Sequence, residues 1–202
     1  MKAVVSVGVL ALLAACASTF STDYAKSVDP GVSRNWRLAA VNVQVPDSLT
    51  ISEQNVLVPD ADIVWQQEDP PGDRRAQVAA IMSTAVTAGA SGLHGHEPVN
   101  LVIVMQRFHA LTPSAEALEM DNVGVLNVDF TIEVDDAATG KVLVPAQQIS
   151  AALPGLTGQA AVAARAQGQT QKTEIEAHVR AVVAGWLGIG PDARNTFQRI
   201  GA

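Results

Sequence analysis

Hydrophobic positions recur along this chain in two periods, and together they predict most of its elements. From Trp36 to Val45 the residues Leu38, Val41, Val43 and Val45 give an alternating stretch that Pro46 ends, the pattern of a strand. Between Asp47 and Gln67 short apolar pieces separated by acids and prolines predict loops or short edge strands. Val78, Ile81, Met82, Ala85 and Val86 then follow a 3.6-residue period and place one apolar stripe on a helix from about Arg74 to Ala90. Asp73, after the Pro70-Pro71-Gly72 turn, is positioned to cap its first amides. Val99 to Phe108 is apolar on both faces, as a central strand is. Thr112-Pro113 starts a short helical turn or loop, with threonine at the cap and proline at the first helical position.

From Val123 to Asp135, Leu126, Val128, Phe130, Ile132 and Val134 alternate with Asn127, Asp129, Thr131, Glu133 and Asp135, a strand with one wet face. The turn Asp136 to Gly140 returns it as an antiparallel hairpin over Lys141 to Ile149. Ile175, Val179, Val182, Val183 and Trp186 share a face of a C-terminal helix, interrupted near Gly168 and stopped by Gly188-Ile189-Gly190-Pro191. The order strand, helix, strand, hairpin, helix predicts an α+β fold: a single sheet of about four strands, mainly antiparallel, with two main helices on one face in a two-layer sandwich.

The first residues change the picture from fold to address. Lys2, the apolar run Ala3 to Ala15 and the exit Leu13-Ala14-Ala15-Cys16 have the order of an export signal. The run is shorter than the roughly 20 residues that span a bilayer. Leu-Ala-Ala-Cys resembles the lipobox of bacterial lipoproteins. That resemblance implies cleavage before Cys16 and acylation of its thiol (diacylglyceryl) and its new amine (palmitate). Three chains, at about 0.8 kcal/mol per buried CH₂, would tether the protein permanently. Ala17 and Ser18 stand where an aspartate favours retention in the inner membrane, so the same resemblance implies the inner leaflet of the outer membrane, facing the periplasm. The expected organisation is a signal peptide at 1–15, a flexible lipidated linker at 16–33, one domain at 34–190 and a C-terminal tail at 191–202. Cys16 is the single cysteine, so an intramolecular disulfide is excluded.

Charge and motifs narrow the function classes. Removing residues 1–15 takes Lys2 with it, so 12 basic residues stand against 20 acidic ones and the net charge is −8. That balance argues against nucleic acid and against electrostatic adhesion to anionic lipid. No Gly-x-Ser-x-Gly, His-Glu-x-x-His or Gly-Lys-Ser/Thr pattern occurs, so no catalytic residue and no cofactor are assigned. Gly185 to Gly190 ends a helix, whereas a phosphate loop opens one. His94, His96 and Glu97 form at most half a metal site, and no metal ligand is assigned. Asp129, Glu133 and Asp135 read as the solvated face of a strand. Asp60, Asp62 and Trp65 with Asp73 and Arg74 group acid, base and aromatic side chains around a turn; Arg107 and His109 complete the candidate partner-binding set, arginine and tryptophan being favoured interface anchors.

Taken together with the lipobox, Asp60 to Trp65, Gly72-Asp73-Arg74, Arg107 to Thr112 and Gly168 to Lys172 resemble an alphaproteobacterial lipoprotein family of unknown function. More remotely, the helix, the central strand ending in Arg107-Phe108 and the Thr-Gly hairpin resemble LptE-like and ABC-transport auxiliary lipoproteins. Two functions are compatible with these residues. One is a non-enzymatic adaptor or accessory subunit in cell-envelope assembly or lipid transport, with an envelope protein as partner. The other is a periplasmic ligand binder or enzyme, its ligand unknown, with a concave site around His109, Asp73 and Arg74 or around His94 and His96. The missing catalytic motifs favour the first.

Overall fold

A central crossover organises the sheet. The computed structural model describes residues 19–120 and 123–200; the expected export signal and the expected lipidation of Cys16 lie outside them. Strand β2 (Trp36–Gln44) is followed by β3 (Ile63–Val64), helix α2 (Arg74–Gly89) and strand β4 (Glu97–His109). The return along α2 makes β2 and β4 parallel neighbours, paired from Trp36 with Glu97 to Gln44 with Val104. Ahead of them lie β1 (Thr19–Tyr24) and the short α1 (Pro30–Ser33); α3 (Pro113–Glu116), β5 (Gly124–Asp136) and β6 (Val142–Ala151) follow. The chain continues through β7 (Leu153–Gly155), α4 (Gly158–Ala166), α5 (Gln171–Trp186) and β8 (Gln198–Ile200).

The fold class therefore needs correction. Among the described residues there is one mixed sheet of eight strands with five helices, where the periodicity predicted about four strands and two helices. Its order is β2-β4-β5-β6-β1-β8, with β3 on β4 and β7 on β5. β3 also runs parallel to β4, so the sheet is not simply antiparallel. The missing strands are two to six residues long. Backbone pairing recruits them to the sheet, and their side chains carry too few alternations to announce them.

Both chain ends belong to the sheet. Residues 19–24 of the expected flexible linker pair with β6 and with β8, Thr22 opposite Ala151 and Phe20 opposite Arg199. Thr22 and Tyr24 are buried, and the Thr22 hydroxyl donates to the Ala152 carbonyl at 2.7 Å. The expected tail contributes β8, and Asp192 accepts the Tyr24 hydroxyl proton at 2.7 Å.

The core lies between the sheet and the pair α2 and α5. Each apolar stripe residue of the two helices is buried, together with Val99, Leu101, Ile103 and Met105 of β4 and Leu126 to Val134 at even positions of β5. Asp73 caps α2 by accepting from the Ala76 amide, and Thr112 caps α3 by accepting from Ala115, because Asp and Thr oxygens satisfy the free N–H groups of a first turn. Gly89 lets the helices touch: a Cβ there would lie 2.8 Å from the Arg180 carbonyl oxygen of α5. Among the described residues no helix is long and apolar enough to cross a membrane.

Candidate functional site

A register shift in β4 creates the site. Odd-numbered residues from Val99 to Met105 face the core, but an extra residue between Met105 and Arg107 switches the alternation, so Phe108 is buried and Arg107 and His109 face the opposite side. There Arg107 lies across from Asp129, and His109 from Asn127. This is the sheet face away from Phe108, Val128 and Phe130.

At its end, where β4 finishes and β5 begins, a cavity of about 490 Å³ opens. Its walls are Phe20 of β1, the loop Leu57-Val58-Pro59, Leu111 before α3 and Ala115 within it, Val123 just ahead of β5 and Val125 in it, and Arg199 and Ile200 of β8. His109, Asn127 and Thr157 are its polar groups besides Arg199, and none of the residues lining it is an acid. Such volumes and such a mostly apolar lining with few polar groups are usual for small-molecule sites, about 300 to 1,000 Å³.

The polar groups are held in place. Nε2 of His109 donates to the Ala61 carbonyl, which leaves Nδ1 as the acceptor of the ring. Burial lowers the His109 pKa, opposed by that hydrogen bond, so the imidazole is neutral near pH 7. Arg199 donates to the Gly124 carbonyl at 2.7 Å and stacks its guanidinium 5.4 Å from the Phe197 ring. Next to the cavity on the same face, Gln106, Arg107, Asp129, Gln148 and Ser150 line a shallower depression of about 260 Å³. Burial raises the Asp129 pKa, against the pull of Ser150 and Arg107.

Of the residues singled out from sequence, the structure places one, His109, in the cavity wall and Arg107 beside it. Asp62 accepts from the Thr50 amide and hydroxyl, both at 2.8 Å, and these bonds hold its carboxyl below the usual range. Asp60 is exposed on the same loop. Trp65 and Arg74 are buried, at 0 % and 4 % exposure, and therefore present no docking surface. Trp65 stacks edge-on against Phe108 and donates to Asp69 at 2.8 Å. Arg74 holds Glu53 through two bonds of 2.7 and 3.1 Å. Asp73 is spent on the cap of α2. Asp73, Arg74, His94 and His96 do not line the cavity. Phe20 lies in the segment expected as a flexible linker, and Arg199 and Ile200 in the expected C-terminal tail; the two strands that carry them are too short to show in the alternation.

Fold and site together define a one-sheet α+β domain with a ligand-sized apolar cavity at one end of the sheet. The chain belongs to the family of unknown function DUF6778, whose match covers residues 36–202. No curated protein sequence matches it. Among solved structures, it is similar to PelC of Paraburkholderia phytofirmans, solved as a dodecamer, at 11% identity and a TM-score of 0.33 over 86% of this chain and 96% of that one. A Xanthomonas campestris protein of the DUF330 family aligns over 84% of this chain and 92% of its own at 12% identity and a TM-score of 0.44. A candidate lipoprotein from Caulobacter crescentus aligns over 55% of this chain and 82% of its own at 18% identity and a TM-score of 0.29. At TM-scores below 0.5 these likenesses extend neither a ligand nor an assembly to this chain. The likeness to LptE-like lipoproteins is not shown by them.

Proposed function

We propose that this protein is a lipoprotein tethered through acyl chains on Cys16, facing the periplasm from the inner leaflet of the outer membrane. Its domain is a non-enzymatic accessory subunit in lipid transport or envelope assembly that holds an apolar ligand. One observation carries this reading: the 490 Å³ cavity is walled by Phe20, four residues after Cys16. A lining free of carboxylates, in a chain with 20 acidic residues, supports an apolar or anionic occupant over a cationic one.

The test is uptake of an apolar fluorescent probe by the lipidated protein in detergent, with competition by phospholipid and by long-chain fatty acid. One probe per chain is expected, displaced by at least one of the two competitors. Val125→Trp, which enlarges a residue of the cavity wall on an already paired strand, should weaken uptake at least tenfold. Uptake that is absent, or that Val125→Trp leaves unchanged, refutes the cavity as the ligand site.

A further inference from the structure

Given acyl chains on Cys16, which is the reading proposed above, the cavity mouth cannot be far from the bilayer. Three Cα–Cα steps separate Cys16 from Thr19, and at about 3.8 Å each they span no more than about 11 Å. Thr19 is paired with Ile200, and Phe20 with Arg199, so this strand end is itself part of the mouth. A flexible linker to residue 33 would have set no such limit.

The surface at that place is apolar. Of the ten large hydrophobic residues exposed among the described residues, six fall on the segments framing the mouth: Val56, Leu57, Val58, Met120, Val123 and Ile200. Val58 is 86 % exposed and Ile200 72 %. A cluster of this kind, rimmed by polar surface, marks an interaction site, whereas single exposed aliphatics do not. The one charged residue lining the cavity is Arg199, of the sign that attracts lipid phosphate.

We propose that this face docks on the leaflet holding the acyl chains of Cys16, with the Leu57-Val58 loop and Ile200 entering the headgroup region. The cavity then takes one acyl chain of a phospholipid directly from that leaflet, its phosphate near Arg199. The cavity volume of about 490 Å³ lies within the usual range of sites for small ligands, about 300 to 1,000 Å³.

The experiment uses the full lipidated chain in phosphatidylethanolamine and phosphatidylglycerol vesicles. Acylation leaves Cys16 without a free thiol, so Val58→Cys, Ile200→Cys and Ala138→Cys each create one labelling position. Ala138 lies in the turn between β5 and β6, a strand length of about 40 Å from Gly124 at about 3.4 Å per residue. Val58 is too exposed for its replacement to disturb the fold. Fluorophores at 58 and 200 should be quenched by nitroxide-labelled acyl chains at least fivefold more than one at 138. Equal and weak quenching at all three overturns the docking, and probe uptake by the same protein in detergent then shows that the ligand reading survives it. Strong quenching at 58 and 200 without probe uptake overturns the loading of an acyl chain, together with that reading. An unmodified Cys16 overturns both.

Discussion

Replacing Tyr24 by phenylalanine removes one hydroxyl that ties the two ends of the chain together. The ring is buried, its O–H donates to Asp192 Oδ1 at 2.7 Å, and its oxygen accepts the buried Ala193 amide at 3.3 Å. Asp192 loses little, because it is exposed and keeps its bonds from the Arg194 guanidinium at 2.6 to 3.1 Å. The Ala193 N–H loses its acceptor inside the fold, and an unsatisfied buried group costs about 1 to 3 kcal/mol. Tyr24→Phe should therefore destabilise by about 2 kcal/mol, which for a domain of this size lowers Tm by about 4 to 8 °C. Burial, aided by the bond to Asp192, pushes the Tyr24 pKa up to about 12. An acid whose folded pKa is raised contributes stability that is complete below its unfolded value, near 10, and is lost as pH rises through the folded one. The gap between native and variant should then narrow above about pH 10. Thermal unfolding followed by circular dichroism reads both effects. A Tm within about 1 °C of the native protein at neutral pH would show that the two chain ends are not locked by this contact, and would loosen the placement of Thr19 and Phe20 at the cavity.

Two further outcomes test the packing and the buried titrating groups. Gly89→Ala puts a methyl 2.8 Å from the Arg180 carbonyl oxygen and 2.9 Å from Val183 Cβ, contacts that a backbone atom cannot yield. Overpacking of about 1 to 3 kcal/mol set against a gain of up to about 1 kcal/mol in helix propensity leaves a net loss, so urea unfolding should report destabilisation of up to about 2 kcal/mol; a stabilised variant would contradict the helix contact. Burial lowers the pKa of both His109 and His178. The unfolded chain therefore takes up protons first, and stability present above the ordinary histidine value of about 6.5 is lost as pH falls below it. The drop in Tm on acidification to about pH 5 should be smaller in the double variant His109→Asn, His178→Asn, and an equal drop would refute the assignment.

What the sequence displays is repeated burial. The stripe Val78 to Val86, the stripe Ile175 to Trp186 and the alternation Leu126 to Val134 each bury five side chains on one face, so their elements are legible residue by residue. Single events are not. The shift at Gln106 moves one residue out of register, yet it decides that Phe108 joins the core and His109 joins the cavity. Trp65 and Arg74 have the chemistry of interface anchors, but Arg74 meets Glu53 across 21 positions of sequence, and that distance hides its burial. The cavity is assembled from residues near 20, 57, 110, 125 and 200, and no local spacing brings those together.

The short strands have the largest consequence for function. β1 and β8 carry few apolar side chains, and they are held by backbone bonds to the sheet and to each other. If residues 16–33 were a loose spacer, a tether at Cys16 would leave the domain free to turn any face to the membrane. Pairing Thr19 with Ile200 removes that freedom, because a tether at Cys16 would then reach the domain at the strand end that lines the cavity. With Cys16 acylated as proposed, the same few hydrogen bonds that escaped the hydrophobic pattern would select which surface meets lipid, and the exposed Leu57, Val58 and Ile200 are found on that surface.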